Sequence, residues 1–231
     1  MTVTLIRSGG CSIAAEFIPG DDLMARKTKA DAEQTRQDIL DAALELFHAK
    51  GYSRTTLEDI ALSAGVTRGA IYWHFKDKID LFMGIKEEVE RSTETRLEDL
   101  LLLSVTNLSD MRDNLLRLFL NLERDERFRR YFELVFFRIE FTEELQPVME
   151  QFKEKCCRMQ QKDKEDLVRL QQEDKLSADL DCKQAALGFR CLILGIIHSW
   201  LIDESLFSLA DQGSALVDDY LQRLRLSKEK F

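Results

Sequence analysis

Thr67-Arg68-Gly69-Ala70-Ile71-Tyr72-Trp73-His74-Phe75-Lys76-Asp77-Lys78 is the stretch on which the reading of this chain turns. It is too short for a domain and too rich in polar and aromatic side chains for ordinary core. Immediately upstream stands Leu57-Glu58-Asp59-Ile60-Ala61-Leu62-Ser63-Ala64-Gly65-Val66. Together they read as a helix, a tight turn at Gly65 and a second helix. That is the helix-turn-helix, whose second helix enters the major groove of DNA.

The second helix can be argued residue by residue. Thr67 is a natural N-cap, its hydroxyl accepting from an orphan amide of the first turn. Ile71 and Phe75 lie four apart and share the face that anchors the helix to a core. Arg68 and Tyr72 share one flanking face, and Gly69 and Trp73 the other. Gly69 costs roughly 1 kcal/mol of helix stability relative to Ala, a cost with a use where the backbone approaches another surface closely. Arg68 has the fork geometry to read guanine O6/N7. Tyr72, His74 and Lys78 reach phosphates, and Trp73 completes the contact set.

The run Ala64 to Lys78 resembles the TetR family of transcriptional repressors, and within it the acriflavine-resistance-regulator branch. Met24-Ala25-Arg26-Lys27-Thr28-Lys29 and Glu33-Gln34-Thr35-Arg36 resemble the start of those proteins. The match is strong from Met24 to about Phe82. Beyond it, Glu140-Phe141 and Gly195 to Trp200 are the clearest points. The resemblance implies a homodimeric repressor of a multidrug efflux pump, released from a palindromic operator by a small lipophilic molecule. It also sets Glu90 where such regulators place a pocket acid. A carboxylate at the rim of an apolar pocket would favour cationic ligands.

The rest of the chain fits an all-α protein. Only two prolines and ten glycines interrupt 231 residues, of which 45% are hydrophobic and 32% charged. We expect a helix-turn-helix DNA-binding domain at 24–78 and a larger helical ligand-binding and dimerisation domain at 79–231. Residues 1–23 are expected to be an extension upstream of the functional start. The formal charge of −9 at first argues against nucleic acid. Met24 to Lys78, however, holds nine Lys/Arg against eight Asp/Glu, so the acid sits elsewhere. The local pattern governs contact, not the global charge.

Arg26, Lys27 and Lys29 form a basic arm suited to phosphates or a minor groove. Asp31 to Lys50 carries helical apolar spacing and is stopped by Gly51. Thr55 is expected to open a capping box with Glu58, and Thr55 and Thr56 to touch phosphate. Asp77 starts a connecting helix expected to reach about Leu103. Met1 to Leu23 makes no convincing secretory signal. The longest apolar run, Cys191 to Ile197, falls short of the ~18–20 residues of a membrane span. A cytoplasmic protein with no membrane partner is therefore expected.

Residues 110–146 are crowded with large aromatics. Phe119, Phe136, Phe137, Glu140 and Phe141, with Glu90, make the candidate ligand set. The last helices are expected at about Cys182 to Ile202 and Ala210 to Leu226. The resemblance implies that they pair with a second copy, and Phe189, Leu192, Ile196, Trp200, Leu216 and Tyr220 are the candidate interface. The five cysteines include no CxxC pair. No catalytic motif or metal-ligand spacing is present, so neither an enzyme nor a cofactor is expected. Two alternatives stay open: a DNA-bound protein-interaction factor without an inducer, and a thiol-sensing regulator.

Overall fold

The computed structural model describes residues 20–92, 105–140 and 142–225. Side chains are described from Thr28 to Arg91 and throughout the two later segments. Met1 to Pro19, and so most of the expected extension, lie outside the described residues. Among the described residues all regular structure is helical. The helices are α1 (Gly20–Lys50), α2 (Leu57–Ser63), α3 (Arg68–His74), α4 (Lys78–Ser92), α5 (Leu108–Arg124), α6 (Glu126–Glu133), α7 (Gln146–Gln172), α8 (Cys182–Ile202) and α9 (Ser214–Arg223). The chain groups into two compact units, residues 1–37 and 38–231. The first contributes the leading turns of α1, which begins at Gly20 rather than near Asp31.

The second unit contains both the helix-turn-helix and the longer helices. Ile39, Leu40, Ala43 and Phe47 of α1 pack with Ile60 and Ala61 of α2 and Ile71 of α3, all buried. Gly51 and Gly65 sit at φ +86° and +66°, the left-handed region that side-chain-bearing residues rarely adopt. Each therefore turns the chain sharply where a helix must end. Asp77 starts α4 as its spacing predicts, its carboxylate accepting from the amide of Asp80 at 2.8 Å. The stretch of this helix expected beyond Ser92 lies outside the described residues.

α5 is opened by a capping box between Asn107 and Asp110. It buries Leu115, Leu118, Phe119 and Leu122 on one face. α6 runs directly into a π-helical turn, Leu134–Arg138, and a second π turn, Leu209–Gly213, precedes α9. α7 and α8 pack together and are cross-linked through charge. Arg190 of α8 donates to the buried Asp163 of α7 and, at 3.5 Å, to the Met159 carbonyl. Asp166, also buried, is bonded by Lys162 and Arg169.

By length and composition α8 would suffice to cross a bilayer, with a mean hydropathy of 1.8 over its most apolar window. Its buried face, from Ala186 through Phe189 and Ile193 to Trp200, packs inside the unit, and Arg190 finds its counter-charge on α7. It is a core helix of this chain.

α8 and α9 meet closely at Gly188. A methyl group there would stand 2.5 Å from the Tyr220 hydroxyl and 3.3 Å from its ring carbon. That hydroxyl donates to the Ala185 carbonyl at 2.7 Å and cannot easily yield. Gly188→Ala is therefore expected to destabilise the chain by about 1–2 kcal/mol, overpacking outweighing the gain in helix propensity. In a Tyr220→Phe background the same change should be neutral or stabilising, as urea unfolding of the four variants would show.

Candidate nucleic-acid interface

Two short helices build the candidate reading head. α2 is capped by Thr56, whose hydroxyl accepts from the Asp59 amide at 3.1 Å while Asp59 accepts from the Thr56 amide at 3.0 Å. The capping box thus stands one residue later than the sequence reading of Thr55 with Glu58. The register is decided by Thr55 itself, which is only 1% exposed. Its hydroxyl donates to the carbonyls of Gly51 (2.9 Å) and Leu46 (3.2 Å). Thr55 is a packing residue, and its expected phosphate contact is corrected. Thr56 stays exposed at the helix start.

α3 follows the sequence reading closely. Thr67 caps it, accepting from the Ala70 amide at 3.1 Å. Ile71 (0%) and Phe75 (2%) are its buried anchors. Opposite them, Arg68, Gly69, Tyr72 and Trp73 are exposed, with Trp73 73% open to solvent. Trp73 is therefore no core residue. The Arg68 guanidinium donates to the Tyr72 hydroxyl at 3.2 Å and sits 5.5 Å from its ring centre. His74 is half-buried and edge-on to Trp73, their rings 4.5 Å apart. A basic fork, a phenol and an indole thus stand on one solvent-facing surface over an apolar base.

Lys78 is placed differently from expectation. Its ammonium donates to the carbonyls of Tyr52 and Thr55, each at 3.2 Å, and lies 4.3 Å from the Tyr52 ring centre. It pins α4 beneath the turn before α2 through two of its three N–H bonds. Lys29 is exposed on α1. Arg26 and Lys27 fall within that helix, with side chains outside the described residues.

Three features escaped the sequence reading. Leu62 of α2 is 84% exposed. It falls off the Leu57, Ile60, Ala61 stripe, so periodicity could have flagged it. Tyr52 is fully buried between Phe47 and Phe82. Its amide donates to the Arg138 carbonyl at 3.2 Å, joining the reading head to the π turn after α6. Burial and the neighbouring Glu144 carboxylate push its phenol well above the usual tyrosine range. Third, α1 and α6 face each other with matched charge. Arg127 pairs with Asp41 at 2.8 Å and Arg130 with Glu45, while the His48 ring is hydrogen-bonded to the Glu133 carboxylate at 2.5 Å. Asp41, Glu45 and His48 form one helical row, but nothing in the sequence names the row opposite.

The described members of the expected ligand set stand in different surroundings. Phe119 is fully buried core, because it lies on the apolar face of α5 beneath Gly213. Phe136 and Phe137 gather around His198, with ring centres 6.0 and 5.2 Å away. Glu140 is exposed, and Phe141 lies outside the described residues. Glu90 is bonded by Lys155 at 3.4 Å, with Lys86 3.9 Å from the same oxygen. A cavity of about 220 Å³ does open beside these lysines, between α4 and α7, lined in part by Met83, Val148, Phe152 and Arg158.

The expected dimer set is largely corrected. Phe189 (3%), Ile196 (5%) and Trp200 (3%) face the chain's own core. Leu192 and Tyr220 are half-buried, and Leu216 is exposed. α8 is apolar nearly all round, so periodicity could not tell its two faces apart. The outward row is Leu187, Cys191, Leu194, His198 and Ile202.

Comparison with known proteins agrees with this architecture. Residues 39–85 match the model for bacterial regulatory proteins of the tetR family, and residues 106–226 that for the C-terminal region of MAATS-type transcriptional repressors. The transcriptional regulator AcrR of Shigella flexneri is 39% identical over 203 residues, covering 86% of this chain and 94% of that protein. TtgR of Pseudomonas putida is 34% identical over 88% of this chain and 98% of its own. The crystal structure of NalD, the secondary repressor of the MexAB-OprM multidrug efflux pump in Pseudomonas aeruginosa, superposes with a TM-score of 0.70. It is 33% identical and covers 86% of this chain and all of that one. A SmeT–triclosan complex gives a TM-score of 0.70 at 30% identity, over 86% and 95% of the two chains. With an exposed recognition helix on an all-helical scaffold and both halves matched, the chain belongs to the TetR family of bacterial regulatory proteins, its C-terminal part being that of a MAATS-type transcriptional repressor.

Proposed function

We propose that this chain is a ligand-responsive repressor of a multidrug efflux pump that acts in the cytoplasm as a homodimer on a palindromic operator. The observation that carries the reading is the exposure of Arg68, Tyr72 and Trp73 on a helix whose opposite face, Ile71 and Phe75, is wholly buried. Two such helices, one per protomer, enter successive major grooves. Arg68 reads base edges, and Gly69 allows the backbone near. Thr56, Thr67, Tyr72, Trp73 and His74 set the register on the sugar-phosphate backbone. The dimer forms through α8 and α9, the outward row from Leu187 to Ile202 meeting its copy. Residues 24–78 serve as the reading head and 79–231 as the responding part.

Release needs a ligand with different affinity for two arrangements of the chain. The ion pairs and the His48–Glu133 hydrogen bond between α1 and α6, with the Tyr52 bond to Arg138, give a movement of α6 a direct route to the reading head. The likeness to NalD supports an efflux pump as the target, and the triclosan complex of SmeT supports a lipophilic small molecule as the releasing agent.

Selection of bound DNA from a random pool, repeated with lipophilic compounds, tests the reading. A palindrome released by a compound is the expected result; no enriched site overturns it. On that site, Arg68→Ala should cost about 1–3 kcal/mol and relax preference at one position per half-site. A uniform loss across all sequences would make Arg68 a phosphate contact instead.

A further inference from the structure

Arg68 and Tyr72 are joined within α3 itself. Arg68 is the first residue of the helix, and Tyr72 stands one turn later on the same face. The Arg68 Nη2 donates to the Tyr72 hydroxyl at 3.2 Å, and its Cζ lies 5.5 Å from the ring centre. Among the described residues this is the side-chain hydrogen bond of Arg68, and the Glu58 carboxylate of α2 acts on it only through space. The contact restrains a fork that would otherwise sample many rotamers. Arginine carries high rotamer entropy, whereas tyrosine turns about two side-chain torsions. Tyr72 is 48% exposed, so the chain covers about half of its surface. Helical side chains lean toward the N-terminus, which brings the Tyr72 ring over the first turn, next to Arg68. That turn is fixed by the Thr67 cap and by the buried Ile71. The stiffer residue thus sets the direction of the more flexible one.

The donors and acceptors leave both residues free for DNA. A guanidinium has five N–H bonds, of which Tyr72 takes one, so an edge with two remains for guanine O6/N7. The phenol oxygen accepts from Arg68 and keeps its own proton. Next to DNA the natural acceptor for that proton is a phosphate oxygen. Bonds in such a chain polarise one another, so each strengthens the next. We propose that Tyr72 is a positioning residue for base readout. Its hydroxyl accepts from Arg68 while donating to a phosphate, so the contact that sets the register on the backbone also aims the base-reading fork. The proposal rests on the reading of Arg68 as the residue that contacts base edges, and it gives Tyr72 a part in sequence preference beyond its hold on the backbone.

Fluorescence anisotropy with the full-length protein tests it, on the selected operator and on versions of that operator changed at each base pair in turn. The parent chain is compared with Arg68→Ala, Tyr72→Phe and the double variant. Tyr72→Phe keeps the ring and removes only the hydroxyl, so its melting temperature should match that of the parent. At the position where Arg68→Ala relaxes preference, Tyr72→Phe should lower discrimination by about fivefold, the usual net worth of one hydrogen bond. Discrimination at the other positions should stay as in the parent. In the Arg68→Ala background Tyr72→Phe should weaken all operators by one common factor, the lost phosphate bond, and change no preference. A Tyr72→Phe variant that weakens every operator equally while Arg68 is present overturns the proposal and makes Tyr72 a backbone contact alone. A loss of discrimination spread over all positions also overturns it, because Tyr72 would then support the helix as a whole. If Arg68→Ala relaxes preference at no position, the base-reading role of Arg68 fails first, and this proposal falls with it.

Discussion

Replacing Arg190 with methionine is expected to destabilise the fold by about 3–5 kcal/mol, the cost of leaving a buried charge without its partner. The partner is Asp163, 5% exposed on α7, and the Arg190 side chain is itself only 13% exposed. Arg190 also reaches the Met159 carbonyl at 3.5 Å, so one side chain fastens α8 to α7 at two points. Burial already raises the Asp163 carboxyl above its usual range, against the opposing pull of Arg190. Without Arg190 it rises further and holds a proton in the folded state that the unfolded chain gives up. Stability is then lost as pH rises through the folded value, so the penalty should be smaller near pH 5 than near pH 7.5. Urea unfolding at fixed protein concentration measures both. Adding Asp163→Leu should recover most of the loss, because an apolar pair of similar volume replaces a buried ion pair at little cost. A penalty below about 1 kcal/mol, or one independent of pH, would mean that the pair is solvated.

Phe75→Ala should be comparably severe, but at the reading head. Truncating a buried phenylalanine costs about 3–5 kcal/mol. α3 has only seven residues, too few to hold a helix on local propensity. Its seat depends on Ile71 and Phe75, and Phe75 also donates its amide to the Ile71 carbonyl at 2.8 Å. The variant should melt earlier and lose at least about tenfold in operator affinity, since only the fraction with a seated helix can bind. Trp73→Ala gives the contrast. Trp73 is 73% exposed, so its loss should leave stability within about 0.5 kcal/mol while weakening DNA binding. Thermal unfolding paired with fluorescence anisotropy on the selected operator separates the two. If Phe75→Ala melts like the parent chain, Phe75 does not seat the helix.

Much was settled by the sequence where local chemistry had one solution. The tight turn at Gly65, the Thr67 cap, the Ile71–Phe75 anchor face and the start of α4 at Asp77 needed only neighbours within a few residues. The limits of α8 were legible for the same reason, between a capping Asp181 and the charged turn after Ile202. The solvent-facing row of α3 followed from the anchor face, since a helix with one buried side must show the other.

What only the tertiary structure decided were the choices between equivalent local options. Thr55 and Thr56 are both good caps, and burial of the Thr55 hydroxyl against Leu46 and Gly51 selected Thr56. Lys78 reads as a free cation in the sequence, and in the fold Tyr52 and Thr55 present their carbonyls to it. α8 is apolar on every side, so only the packing of α7 and α9 showed that Phe189, Ile196 and Trp200 turn inward while Leu187, Leu194 and Ile202 turn out. Glu90 looks like a free acid in the sequence and is an ion-pair partner in the fold. The physical reason is common to all four. Periodicity and capping act over one or two helical turns, whereas the partner that buries, bonds or neutralises a side chain arrives from a distant part of the chain.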